Sequence, residues 1–298
     1  LITFLMNVGV IGSYYQITLY NICINIILAV SLNLIIGVCG QFSLGHAGFM
    51  CIGAYSAAIV VRSMSNLLGF ALGVGIGIVI STIAALIVSI PTLRLRGDYL
   101  AIATLGFSEI IRIIVLNLKI TNGAAGLSGI AKLTTWPLLF VLMVASIVIV
   151  TNFSRSRQGR ACISIREDEI ASEAMGINTT RYKTTAFVIG AALASVAGAL
   201  YACNFYVIKP DLFTFNKSID ILVMVVFGGM GSMTGSVIAA AFIGVLNMLL
   251  QNFSSIRMVI YGVVLVAIMI FRPGGLLGTK EFTFSALLHR KRKEKGRK

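Results

Sequence analysis

LLGFALGVGIGIVISTIAALIVSI, Leu67–Ile90, carries no charged side chain, and Pro91 closes it. A hydrocarbon layer about 30 Å thick is crossed by about 20 apolar residues in a helix rising about 1.5 Å per residue. This run is long enough to span. Gly69, Gly73 and Gly77 recur at four-residue spacing. On a helix they share one face and let a second helix come close.

The same pattern repeats in both directions from this run. Apolar segments at Tyr14–Val38, Met50–Val61, Ala101–Leu118, Pro137–Thr151, Thr184–Tyr206, Ile219–Phe227, Val237–Leu250 and Ile256–Phe271 alternate with polar turns. The 298-residue chain is 58% hydrophobic and 11% charged, whereas soluble domains carry about 25% charged residues. The alternating strands of an outer-membrane barrel are not seen. The reading is an all-α polytopic membrane protein of about nine (8–10) transmembrane helices. Residues 1–278 form the membrane domain, with a polar loop at 153–183, and 279–298 a basic tail.

The net charge is +14, and topology places it. Alternating the loops puts seventeen Lys and Arg on one side and six on the other, with Arg112 inside a span. The richer side is cytoplasmic by the positive-inside rule. That side includes the terminal RKRKEKGRK, read as a solvated end that touches anionic lipid rather than nucleic acid. Cys23, Cys39, Cys51, Cys162 and Cys203 show no CxxC spacing. They read as packing residues, with neither zinc nor disulfides indicated. Trp136 suits the interfacial belt.

The longest polar interruption before the tail is RACISIREDEIASEAMGINTTRYK, Arg160–Lys183. Ser164 and Glu167 fit a capping box. Glu167, Asp168 and Glu169 put negative charge at the positive end of a helix dipole. Gly176 stands where a left-handed C-terminal cap is wanted. Ile170, Ala171, Ala174 and Met175 make one narrow apolar face. A helix of about three turns is marginal alone in water, so it docks, either on its own protein or on a partner.

Other polar groups lie at membrane depth. Asn21, Asn25, Ser31 and Asn33 sit in the first span, where polar amides usually face other helices. GQFSLGHAGF, Gly40–Phe49, brings Gln41, Ser43 and His46 into a Gly-rich break. A second break, GGMGSMTG, runs from Gly228 to Gly235 and includes Gly229 and Ser232. Paired breaks in two halves point to a translocation pathway; tight turns between spans are the alternative. Glu109 and Arg112, at i and i+3 in one span, can pair. Charge at that depth is a functional candidate, or else a structural ion pair.

No GxxxxGK[ST], HExxH or GxSxG triad is present, and Glu109 is the one acid deep in a span. Three classes remain: a membrane domain driven by a separate ATPase, a self-sufficient secondary carrier, and an intramembrane enzyme. The charged island favours the first.

The blocks Gly40–Tyr55, Leu93–Arg112, Arg160–Ile177 and Val226–Gly235 resemble the permeases of bacterial branched-chain amino acid ABC transporters, of the LivM type. The resemblance covers about residues 14–278. Ser172 departs from the family's usual Ala, and Ser164 from a usual large or aromatic residue. The resemblance implies a vitamin B12- or ribose-permease-like importer fold in the bacterial inner membrane, with a cytoplasmic C-terminus. It implies a second permease subunit, two ABC ATPase subunits and an extracytoplasmic substrate-binding protein. It implies no cofactor on this chain, ATP and magnesium being used by the ATPases. It makes Arg166–Gly176 the coupling helix, with Arg160, Arg166, Glu167, Asp168, Glu169, Glu173, Ala174, Met175 and Gly176 as coupling residues. Leucine, isoleucine and valine are the implied substrates, with urea, short amides or other amino acids as alternatives.

Overall fold

The computed structural model describes residues 12–92 and 97–249, together with positions 262, 263, 266, 275 and 278. Every apolar segment from Tyr14 to Leu249 forms a helix. They are α1 (Ser13–Asn33), α2 (His46–Ser63), α3 (Leu67–Thr92), α4 (Asp98–Asn117), α5 (Trp136–Arg155), α8 (Thr179–Ala202), α9 (Phe215–Gly228) and α10 (Met233–Leu249). Between α5 and α8 the polar island folds as α6 (Arg157–Glu167) and α7 (Glu169–Ala174). Five of the described helices are long and apolar enough to cross a membrane. The last expected span, Ile256–Phe271, lies outside the described residues apart from isolated positions, as do Arg94, Arg96 and the basic tail.

Burial separates a centre from a rim. The most apolar stretches of α1 and α8 are 83% and 72% buried, against 28%, 33% and 22% for α3, α4 and α5. In a hydrocarbon surround, apolar side chains gain little by turning inward. Close backbone packing and polar contacts then decide the arrangement. The glycines of α3 do this: a Cβ on Gly73 would stand 2.8 Å from Ala57 Cα, and one on Gly77 2.9 Å from Ser195 Oγ. In the same way Gly53 of α2 meets the Ser195 carbonyl, and Gly198 of α8 meets the Met50 carbonyl. Thus α2, α3 and α8 pack mutually through small residues.

At the end of the bundle away from the island, Leu127–Ser128 and Val207–Ile208 pair as a two-stranded antiparallel ladder. Trp136 is buried there, edge-on to Tyr20 at 5.8 Å. It anchors α5 to α1.

Candidate functional site

The island is two helices, not one. Ser156 caps α6 by accepting from Gly159 N at 3.2 Å. That earlier start carries α6 through Ser164, which is therefore not a cap, and the expected Ser164–Glu167 box does not form. The chain breaks at Asp168, whose backbone is extended, and the Asp168 carboxylate caps α7 by accepting from Ala171 N at 3.0 Å. The end of α7 agrees with the sequence reading. Gly176 has φ +82°, Gly176 N donates to Glu173 O and Ile177 N donates to Ser172 O, at 2.9 and 3.0 Å. These two bonds close a Schellman motif.

Polar groups of the island turn back onto the protein. Lys183 Nζ, on α8, donates to Glu169 Oε1 at 2.6 Å. Thr179 Oγ1 donates to Glu173 Oε1 at 2.7 Å. Arg160 Nη1 donates to Arg155 O at 2.8 Å, closing the end of α5. The Ser164 and Ser172 hydroxyls bond each other at 2.8 Å across the α6–α7 break. The apolar face does the opposite: Ile170 is 69% and Met175 83% exposed, and Ala171 and Ala174 are exposed with them.

Arg166 joins the island to the membrane helices. It pairs with Glu167 at 2.5 Å, and its Nη1 donates to Gly37 O. Gly37 lies in a turn of π-helix, Leu34–Val38, that continues α1. Such turns are concentrated at functional positions. The Gly40 backbone lies against the Arg166 stem, leaving 2.8 Å between Cγ and the place of a Cβ.

The second Gly-rich break meets the end of the first span at this joint. Asn33 Nδ2 donates to Ser232 O, and Asn33 Oδ1 accepts from Gly231 N, both at 2.9 Å. A Cβ on Gly37 would strike Asn33 Oδ1 and Gly231 N. Gly229 and Gly231, at φ +109° and +97°, let the chain turn between α9 and α10. Ser232 Oγ then accepts from Gly235 N at 3.1 Å. A cleft of about 270 Å³ lies beside the joint, lined by Gly37, Val38, Ser154, Arg155, Ile163, Arg166 and Gly231.

The remaining candidates divide. Gln41, Ser43 and His46 are buried along the first break. His46 Nε2 and Ser31 Oγ share a hydrogen bond of 2.7 Å. Neither polar atom of the Gln41 amide has a partner among the described residues. Glu109 and Arg112 do pair, at 2.7 Å, but at the other end of the bundle, where Arg112 also reaches Asp211 at 3.9 Å. They are not part of the joint. Sequence reasoning picked out Asn33 as a polar residue in a span but not its partner. It passed over Gly37, Lys183 and Asp211 as site residues, since each acts through a neighbour remote in sequence.

The sequence model of a family described as "Branched-chain amino acid transport system / permease component" matches residues 14–271. The high-affinity branched-chain amino acid transport system permease protein LivM of Salmonella typhimurium is 38% identical over 289 residues, 85% of this chain and 68% of that protein. LivM of Escherichia coli K12 is 37% identical over the same shares. LivH of Salmonella typhimurium is 34% identical over 148 residues, 49% of this chain and 47% of that protein.

Proposed function

The chain belongs to the branched-chain amino acid transport permease family, and from that premise we propose that it is one of two membrane subunits of an ATP-driven importer. As a member it is a transport component rather than a catalyst. In this reading a sister permease completes the pathway. Two ATPase subunits dock on the island from the cytoplasm, and an extracytoplasmic protein delivers leucine, isoleucine or valine to the opposite end. The excess of Lys and Arg on the island side supports that orientation. The names of the LivM relatives support the substrate class.

One observation carries the coupling role. On α7, Asp168, Glu169 and Glu173 are engaged with their own chain, while Ile170 and Met175 stand open. Groups free to meet a partner are thus apolar, and groups that hold α7 in place are charged. The path inward runs through Arg166 to Gly37 and the second break. An ATPase pair that binds one arrangement of this joint better than another would shift the permease between states by that difference in affinity.

The test uses the complete transporter in membranes. Met175→Asp and Ile170→Asp should leave the chain inserted but release the ATPases on purification and abolish ATP-driven leucine uptake. Uptake at the wild-type rate in both variants would count against docking at α7. Replacing Glu167, Asp168 and Glu169 together with Ala should also abolish uptake, by loosening α7 from α8. Competition of uptake by isoleucine and valine, and not by urea or short amides, is the expected substrate pattern.

A further inference from the structure

Arg155 stands where two open surfaces of the protein meet. On α5 the exposed residues Val141, Val144, Val148, Asn152 and Arg155 follow one another at helical spacing. At about 100° per residue they share an arc of about 80°. The stripe from Val141 to Asn152 is about 16 Å long, close to half of a hydrocarbon layer about 30 Å thick. It lies on the rim, where the most apolar stretch of α5 is only 22% buried. At the polar end of the stripe Arg155 also lines the cleft of about 270 Å³, together with Ser154, Ile163 and Arg166. From Arg155 to Glu167 the chain carries four arginines and one acid. The acids that follow, Asp168 and Glu169, are engaged with the α7 cap and with Lys183. Arg166 uses three N–H donors on Glu167 and the Gly37 carbonyl, and a guanidinium has five. Two further rim clefts, of about 330 Å³ along α3 and about 260 Å³ between α3 and α4, are lined without a charged side chain.

We propose that this cleft holds the phosphate headgroup of an anionic phospholipid, whose acyl chain lies along the α5 stripe. The leaflet and the effect on transport rest on the importer reading above, which puts this end of the bundle at the cytoplasmic face; the binding itself does not. Planar guanidinium groups meet phosphate oxygens with paired, charge-assisted hydrogen bonds. Basic pockets between membrane helices hold anionic headgroups in this way. The arginines alone would take any phosphate. The stripe selects a lipid, because it runs into the bilayer from the same side chain that lines the cleft. Gly37 and Gly231 border the cleft as well, so a headgroup seated there braces the joint between α6 and the membrane helices. Transport then depends on anionic lipid through Arg155, a residue outside the α7 docking face.

The experiment places the complete transporter in phosphatidylcholine proteoliposomes doped with phosphatidylglycerol that carries a photoreactive diazirine on one acyl chain. After illumination the digest is read by mass spectrometry. The expected result is label on the α5 peptide that contains Val141, Val144 and Val148, displaced by unlabelled phosphatidylglycerol and unaffected by inorganic phosphate. The same diazirine on phosphatidylcholine should label that peptide at least about fivefold less. Arg155→Gln should lower labelling by phosphatidylglycerol about fivefold, the share of one basic residue at an anionic lipid, and Arg155→Lys should keep most of it. If Arg155→Gln does not insert, Asn152→Asp, which sets a negative charge in the same stripe, should lower the labelling likewise. Absence of label from α5, as when the sister permease covers the stripe, overturns the site. Equal labelling by the two lipids overturns headgroup recognition, and displacement by inorganic phosphate overturns the lipid in favour of a free anion. Label on α5 in a transporter that takes up no leucine supports the site and counts against the importer reading.

Discussion

Asn33 uses both ends of its amide to bind the chain beyond α9, which no local pattern could announce. A polar residue inside a span signals a contact with another helix. The partner is set by the tertiary fold, some 199 residues away. Asn33→Leu leaves the Gly231 N–H without its acceptor, which should cost about 1–3 kcal/mol. A lower melting temperature in detergent is the measurement. Gly37→Ala drives a methyl into the same contact and should cost about 1–3 kcal/mol as overpacking, with leucine uptake falling alongside. Ser164 and Ser172, on either side of the α6–α7 break, are partners of each other. Ser164→Ala, Ser172→Ala and the double variant should show a coupling of about 1 kcal/mol in melting. Additive effects would dissolve that pairing.

The expected single helix of the island became two for a reason of competing caps. Ser164 followed by Glu167, and Asp168 alone, are both competent N-termini by composition. Ser156 decides between them, because a helix begun there already includes Ser164 when Asp168 is reached. The C-terminal end was legible because Gly176 tolerates a conformation that most side chains resist. Asp168→Ala should cost about 1 kcal/mol of cap energy, read as faster hydrogen exchange at the Ala171 amide. Lys183→Met removes one partner of a largely buried Glu169. Loss of that pair should cost up to about 3 kcal/mol and free α7 from α8, read as faster proteolysis after the island with α8 intact.

For the molecule as a whole, the class was written in the apolar runs, and the small-residue faces of α3 and α8 were written in their spacing. The meeting of the second break with the end of the first span was not, since nothing in either marks the other. Nor was the separation of Glu109 and Arg112 from the joint, because a charged pair in a span looks alike at either end. That pair links α4 to the connection between α8 and α9. It is partly open to solvent, so Glu109→Gln should shift stability by about 1 kcal/mol or less. Uptake should follow the amount of folded protein.

The π-turn at Leu34–Val38 stores one surplus residue. Returning it to ordinary α geometry would rotate the following chain by about 100° and advance it about 1.5 Å, carrying the Gly37 carbonyl away from Arg166. The first span thus ends in a ratchet tooth rather than a swivel. It is seated one residue off the α register, and the guanidinium of Arg166, bonded to the Gly37 carbonyl, is the pawl that holds it there.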